Sequence, residues 1–207
     1  MQGHDKETRE RLLSTAERLF AERGFSKVTI REICRSARAN VAAVNYHFNG
    51  KKGLYDEVVR SAIKTMQATT DSIREAGLQR PADEQLAAYV SIFLKRVMAA
   101  RDSWIHQLMM RELADPTPAL ELVLKKVVQP RMTYLRDVVA SMLDCEPADA
   151  RVERCAMSIQ SQCLALLTHP VAALRPKSLN ERELEVMAQH IAEFSLGGVR
   201  AIGRRGG

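Results

Sequence analysis

Apolar residues along this chain recur at intervals of three and four, and no stretch alternates as a half-buried strand would. The pattern predicts an all-α protein. A first helix is predicted over about residues 6–23, with Leu12, Ala16, Leu19 and Phe20 in one stripe and Leu13 beside it. Gly24 follows at the position where helices often end in a left-handed residue, and Phe25 is expected to fold back on the stripe. Thr29 and Glu32 have capping-box spacing for a second helix, whose buried side is Ile30, Ile33, Cys34 and Ala37. After the break Arg38-Ala39-Asn40, a very short third helix is predicted over 41–47. Asn40 can cap it, Phe48 belongs to the core, and Asn49-Gly50 ends it. A fourth helix covers about 51–76.

All seven prolines lie after Arg80 and divide the rest of the chain. Helices are predicted over about 82–101 and 103–114. Asp115-Pro116-Thr117-Pro118 is a break, and Pro118 suits the first turn of the next helix. That helix reaches about residue 143 and should kink at Pro130, which removes a backbone hydrogen bond. A helix over 148–168, a loop over 169–178 and a last helix over about 180–202 complete the pattern. The stretch 155–174 has no charged residue across its 20 positions, yet Ser158, Gln160, Ser161, Gln162, Thr168, His169 and Pro170 make it too polar for a simple membrane span. It reads as a helix buried in protein. The charged N-terminus lacks the apolar run of a secretory signal, so no membrane partner and a cytoplasmic location are expected.

Charge sharpens the division. The chain carries 31 Lys/Arg against 25 Asp/Glu, but residues 1–55 hold 11 against 6, and the body over 56–199 holds 17 against 19. A short basic head therefore precedes a nearly neutral body, the asymmetry expected where the head meets a polyanion. No glycine lies between Gly77 and Gly197, which excludes the glycine-rich loops of nucleotide enzymes from that stretch. Cys34, Cys145, Cys155 and Cys163 form no CxxC and match no common zinc spacing, so buried free thiols are expected. No cofactor or metal pattern is present. No two histidines sit four apart and none pairs with a carboxylate in a catalytic pattern, which weighs against a helical enzyme.

The segment 28–53, VTIREICRSARANVAAVNYHFNGKKG, carries the chemistry. Two short helices about a tight break make a helix-turn-helix, whose second helix enters a DNA major groove while its flanks grip phosphate. Val41, Ala42 and Ala43 are small enough for close approach and suit thymine methyls. Asn45 can read adenine through its two-pronged amide. Tyr46 and His47 offer hydrogen-bonding tips. Lys51 and Lys52 stand at the start of the fourth helix, where ammonium and free backbone N–H groups both attract phosphate; Thr29 and Arg31 have the same option at the second helix.

In these residues the chain resembles the TetR family of bacterial transcriptional regulators. The likeness runs through ERGF, VTIREI and ANVAAVNYHFNGKKGLY, and covers about residues 6–60. It implies a DNA-binding domain over 1–52 and a helical regulatory and dimerisation domain over 53–207. It implies DNA contacts at Thr29, Arg31, Asn40, Ala42, Ala43, Asn45, Tyr46, His47 and Lys51. Two departures stand out: Arg38 occupies a turn position where relatives often have glycine, and Asn45 replaces a commonly aromatic residue. The body block LMMRELADPTPAL resembles one subgroup that shares the NVAA and Asn-Tyr recognition segment.

A member of this family is expected to be a homodimer joined through its last two helices, which places two recognition helices on one near-palindromic double-stranded operator. Candidate interface residues are Val152, Ala156, Ile159, Leu166 and Leu167, with Val186, Ile191, Phe194, Gly197 and Gly198 on the last helix. A small-molecule effector is expected to bind in the body and release a repressor from DNA. Tyr89, Phe93, Trp104, His106, Met109, Met110, Met132, Tyr134, Met157 and Gln160 are the candidate pocket residues, although each taken singly suits a core better than a ligand contact. The fourth helix is the expected lever between pocket and head. A redox-sensing regulator, with Cys155 and Cys163 approaching partners across the dimer, a metal-sensing one, and a helical enzyme are the alternatives.

Overall fold

The structure, a computed structural model, describes residues 2–168 and 180–205, and side chains over 5–166 and 180–204. The loop expected over 169–178 and the side chain of Leu167 lie outside the described residues. Every regular element among those described is helical: α1 (Gln2–Lys27), α2 (Ile30–Ala37), α3 (Val41–Phe48), α4 (Gly50–Gly77), α5 (Ala82–Ala99), α6 (Trp104–Ala114), α7 (Pro118–Val123), α8 (Gln129–Leu143), α9 (Ala150–Thr168) and α10 (Glu181–Arg205). No helix among the described residues is long and apolar enough to cross a membrane.

The chain forms two compact units. The first comprises residues 1–66 and 102–126, the second 67–101 and 127–207. The chain passes from one to the other within α4.

In the first unit, Leu12, Ala16, Leu19 and Phe20 of α1 are buried, as their spacing predicts. Gly24 interrupts α1 at φ 80°, a backbone that a side chain rarely adopts. Phe25 then turns back, its ring 6.1 Å from Phe20 and 4.8 Å from Tyr55. Gly53, in the first turn of α4, is required for a different reason. A Cβ there would sit 1.7 Å from the Phe48 carbonyl oxygen, so only glycine lets α4 start this close to the end of α3.

α6 also belongs to this unit, although it follows α4 by a long stretch of chain. Its Arg111 guanidinium donates to the carbonyl oxygens of Ala21, at 3.3 Å, and Glu22. These are carbonyls that α1 leaves open where Gly24 ends it. The neighbouring Glu112 is buried. Its carboxylate accepts from the Tyr55 hydroxyl, from the Thr117 backbone N–H at 3.1 Å and from the Thr117 hydroxyl at 2.9 Å. Burial, then the adjacent Glu112 carboxylate, push the Tyr55 hydroxyl above its ordinary value.

In the second unit, α5, α8, α9 and α10 share a core of Leu86, Tyr89, Val90, Phe93, Leu94, Leu135, Val139, Val152, Ala156, Ile159 and Ile191, among others. The helix predicted from Pro118 to about 143 runs on without a gap, its backbone helical at both joins. A π-helical turn, Leu124–Val128, lies between α7 and α8. Pro130 has no N–H to give to the preceding turn, and the backbone slips register ahead of it. The Pro130 carbonyl accepts from Arg74 at 3.4 Å.

Candidate nucleic-acid interface

The two short helices of the head are shaped by their caps. Thr29 caps α2: its hydroxyl oxygen accepts from the Glu32 N–H at 3.2 Å, while the Glu32 carboxylate accepts from the Thr29 N–H and hydroxyl, both at 2.8 Å. These bonds, with the Arg23 guanidinium 3.0 Å away, hold the Glu32 carboxyl down at about 2. Arg38 ends α2 in the left-handed region (φ 50°, ψ 49°), as its glycine-favoured place in the turn required. Asn40 caps α3 by accepting from the Ala42 N–H at 3.0 Å, and Asn49 ends it, also left-handed.

Val44 and Phe48 anchor α3 in the core with Ile33, Cys34 and Ala37 of α2. The opposite face of α3 presents Val41, Ala42, Asn45 and Tyr46 to solvent; Tyr46 is 77% exposed. Its ring meets that of the neighbouring His47 at 4.9 Å and is otherwise held out from the core.

His47 is placed differently. Its side chain is only 9% exposed, its Nε2 lies 3.3 Å from an Asp5 carboxylate oxygen, and its ring is flanked by Tyr46 and Phe48. The structure therefore puts His47 between α3 and the start of α1 and not on the open face. Thr29 and Asn40 are exposed, with side-chain oxygens engaged in capping. Arg31 is exposed, Ala43 is half-buried, and Lys51 is half-buried with its ammonium 4.4 Å over the Phe25 ring.

The ion pairs of the head explain how a charge excess becomes a surface. Glu7 pairs with Arg11, Glu10 with Lys6, Glu22 with Arg18 and Glu32 with Arg23, and Asp5 lies 3.3 Å from His47 Nε2. Glu17 accepts from Ser61. Every acid of residues 5–55 is thus engaged. Among the described residues, no carboxylate pairs with Lys27, Arg31, Arg35, Arg38, Lys51 or Lys52. All six cluster in sequence around α2, α3 and the start of α4. Such cations, left without a carboxylate partner among the described residues, are the groups that replace counterions on a phosphate backbone.

In the body, the ten candidate pocket residues are divided between the units. Trp104, His106, Met109 and Met110 stand on α6 in the first and are half-buried. In the second, Tyr89, Phe93 and Gln160 come together: the Tyr89 hydroxyl donates to Gln160 Oε1 at 2.5 Å, and the Tyr89 and Phe93 rings stack at 6.0 Å. Met132 is buried in the same core, and the half-buried Tyr134 donates to Gln85 at 3.2 Å. Met157 is corrected: it is exposed on α9, on the side opposite the core. The sequence reading missed Arg131. Its guanidinium lies 4.5 Å over the Phe93 ring. The spacing 131, 135, 138 puts it on the stripe of the buried Leu135 and Val138, a signal that its charge concealed.

The candidate interface residues also divide. Val152, Ala156, Ile159 and Ile191 are buried in the core of their own unit and are unavailable to a second copy. Leu166 is partly buried against that core. By contrast Val186 and Phe194 are 62% and 65% exposed, and Gly197 and Gly198 open onto space. Cys155 and Cys163 also face the core, which removes the across-dimer approach expected of a redox sensor. Burial pushes the Cys163 thiol up to about 12.

Two family models match the chain: bacterial regulatory proteins of the tetR family over residues 12–58, and the C-terminal domain of the HTH-type transcriptional dual regulator CecR over 82–199. A protein of Bacillus subtilis described as a probable HTH-type transcriptional regulator, YttP, is 29% identical over 68% of this chain and 84% of its own. The HTH-type transcriptional dual regulator CecR of Shigella flexneri is 24% identical over 71% and 70%. Among solved structures, a TetR-family transcriptional regulator from Streptomyces coelicolor superposes with a TM-score of 0.67 at 22% identity, covering 94% of this chain and 97% of that one. The fatty acid degradation regulator FadR from Bacillus halodurans does so with 0.64 at 17%, covering 93% and 96%. A capped helix-turn-helix head with unpaired cations, joined to a body of this matched type, identifies the chain as a member of the TetR family of bacterial transcriptional regulators with a CecR-type C-terminal domain.

Proposed function

We propose that this regulator is a homodimeric repressor that binds a near-palindromic operator and leaves it when a small molecule binds in the body. The DNA-binding part is residues 1–52 and the regulatory and dimerising part 53–207. The observation that carries the reading is the exposed face of α3, Val41, Ala42, Asn45 and Tyr46, among six cations with no carboxylate partner. In this reading Ala42, Ala43, Asn45 and Tyr46 meet bases, and Thr29, Arg31, Asn40 and Lys51 lie along the phosphates. His47 positions α3 through Asp5 and Phe48.

Dimerisation uses the outer faces of α9 and α10. Beyond Arg154 the outer face of α9 (Met157, Ser161, Leu164, Ala165) carries no charge, and on α10 the stripe Val186, His190, Phe194, Gly197, Gly198 and Ala201 runs uncharged between Glu193 and Arg200; all ten residues are exposed. An uncharged face loses little on desolvation, and the two glycines permit close approach of a second backbone. Release requires that the effector favour the form that does not bind DNA. α4, unbroken from Gly50 to Gly77, is the candidate lever. The regulator acts in the cytoplasm.

The test starts with duplexes selected by the protein from a random pool. Asn45→Ala and Tyr46→Ala should each weaken binding to the selected site by about 1–3 kcal/mol, or roughly 5- to 150-fold. Phe194→Glu should convert the dimer to a monomer in light scattering and abolish binding to two-half-site DNA. Unchanged affinity in both α3 variants would remove the groove assignment.

A further inference from the structure

The second unit buries a polar cluster whose donors outnumber its acceptors. Gln160, on α9, is 8% exposed, and its Oε1 receives the Tyr89 hydroxyl at 2.5 Å. Its Nε2 has no partner and no solvent contact, and the same holds for the Nε of Arg131 on α8. The Arg131 guanidinium lies within hydrogen-bonding reach of the Tyr89 hydroxyl and 4.5 Å over the Phe93 ring. Among the described residues no carboxylate pairs with it, and the segment 169–179 contains no Asp or Glu. Burial accordingly holds the guanidinium below its usual value.

A buried guanidinium without a counter-charge is unfavourable, and a buried N–H without an acceptor adds to that cost. Turning the Gln160 amide over would exchange its two ends and still leave the Arg131 Nε–H open. Both open atoms call for an acceptor, and the charge calls for an anion. A planar carboxylate matches the guanidinium fork better than any neutral group does. The cluster lies in an apolar core that also holds the stacked Tyr89 and Phe93 rings, Cys163, Ile159 and Leu135.

From this juxtaposition we propose that Arg131, Gln160 and Tyr89 form a binding site for the carboxylate of an organic acid whose apolar body packs among Phe93 and its neighbours. Arg131 supplies the charge, Gln160 Nε2 the second donor, and Tyr89 fixes the Gln160 amide. The proposal deepens the effector reading above and rests on it for its role in regulation, though the site itself is testable without DNA.

The experiment uses the full chain, titrated calorimetrically and by thermal melting with decanoate and benzoate, against 1-decanol and benzyl alcohol as uncharged counterparts. At least one acid should bind saturably and at least tenfold more tightly than its alcohol. Arg131→Met should erase that preference, and without ligand it should melt no lower than the parent and as much as about 2–4 °C higher, because an unpaired buried charge is gone. Gln160→Glu, which supplies a carboxylate from within, should cut acid affinity at least tenfold even if Arg131→Met fails to fold. Equal binding of acids and alcohols overturns the site. So does binding of neither acid, acid preference retained in both variants, or an Arg131→Met protein that folds but melts well below the parent, which would make Arg131 a structural cation. Operator binding is measured separately. Acid binding that leaves DNA affinity unchanged supports the site and removes its effector role, whereas absence of acid binding beside intact operator binding overturns the site and leaves the DNA-binding reading standing.

Discussion

Each unit of this regulator draws an ionisable side chain inward, Glu112 wholly buried and Arg131 half-buried with its Nε enclosed, and the two are finished differently. In the first, the Glu112 carboxylate accepts from the Tyr55 hydroxyl, the Thr117 N–H and the Thr117 hydroxyl, so its lone pairs are used within the chain. In the second, Arg131 and Gln160 keep donors with no acceptor. A closed network rigidifies the elements it joins, while an open one lowers stability until something completes it. The first cluster has the character of a clamp and the second of a receptor.

Substitutions test that contrast most strongly at Glu112. Replacing it with Ala strands the Thr117 N–H and the Tyr55 and Thr117 hydroxyls, and should cost about 3 kcal/mol in chemical denaturation. Arg131→Met carries the opposite expected sign; if both variants are destabilised alike, the clamp and the receptor are the same kind of structure. A smaller effect belongs to the head. Thr29→Ala removes the α2 cap and should lower stability by about 1 kcal/mol.

The Glu32 end of that capping box is read by pH. Its folded value, about 2, lies below its ordinary 4.5, so the stabilisation is complete above 4.5 and is lost as pH falls from there through 2. In Thr29→Ala the Glu32 resonance should titrate closer to 4.5, which a carboxyl NMR titration follows. Cys163, raised to about 12 by burial, should resist iodoacetamide at pH 8 in the folded chain and react once it unfolds. Smallest of all is Arg38→Gly. Relief of a left-handed side-chain position, offset by glycine's larger unfolded entropy, should gain about 0.5 kcal/mol. If Arg38 touches phosphate, the same change lowers the salt slope of DNA binding by about 1.

The head was legible in the sequence because its information is local. Thr29 with Glu32, Asn40 ahead of Val41 and Gly24 after the first stripe each lie within four residues of the structure they set. α6 joining the head was not legible. Arg111 reaches carbonyls 89 and 90 positions away, and no periodicity records such a partner. On α9 the difficulty was symmetry of another kind. From residue 155 on, its buried side (Ala156, Ile159) and its exposed side (Met157, Leu164) are both free of charge, so composition there could not say which met the core. Arg131 was hidden by the assumption that an arginine on a helix faces water, although its stripe pointed inward.

The grip of Arg111 and Glu112 on α1 and α4 bears on how such regulators can be recombined. A chimaera that joins this head to a foreign body at residue 52, or even at 66, leaves the α1 carbonyls and the Tyr55 hydroxyl without the partners that complete them. The transplantable part is discontinuous: residues 1–66 travel intact only with 102–126, and a graft that respects this carries two junctions more than a simple fusion.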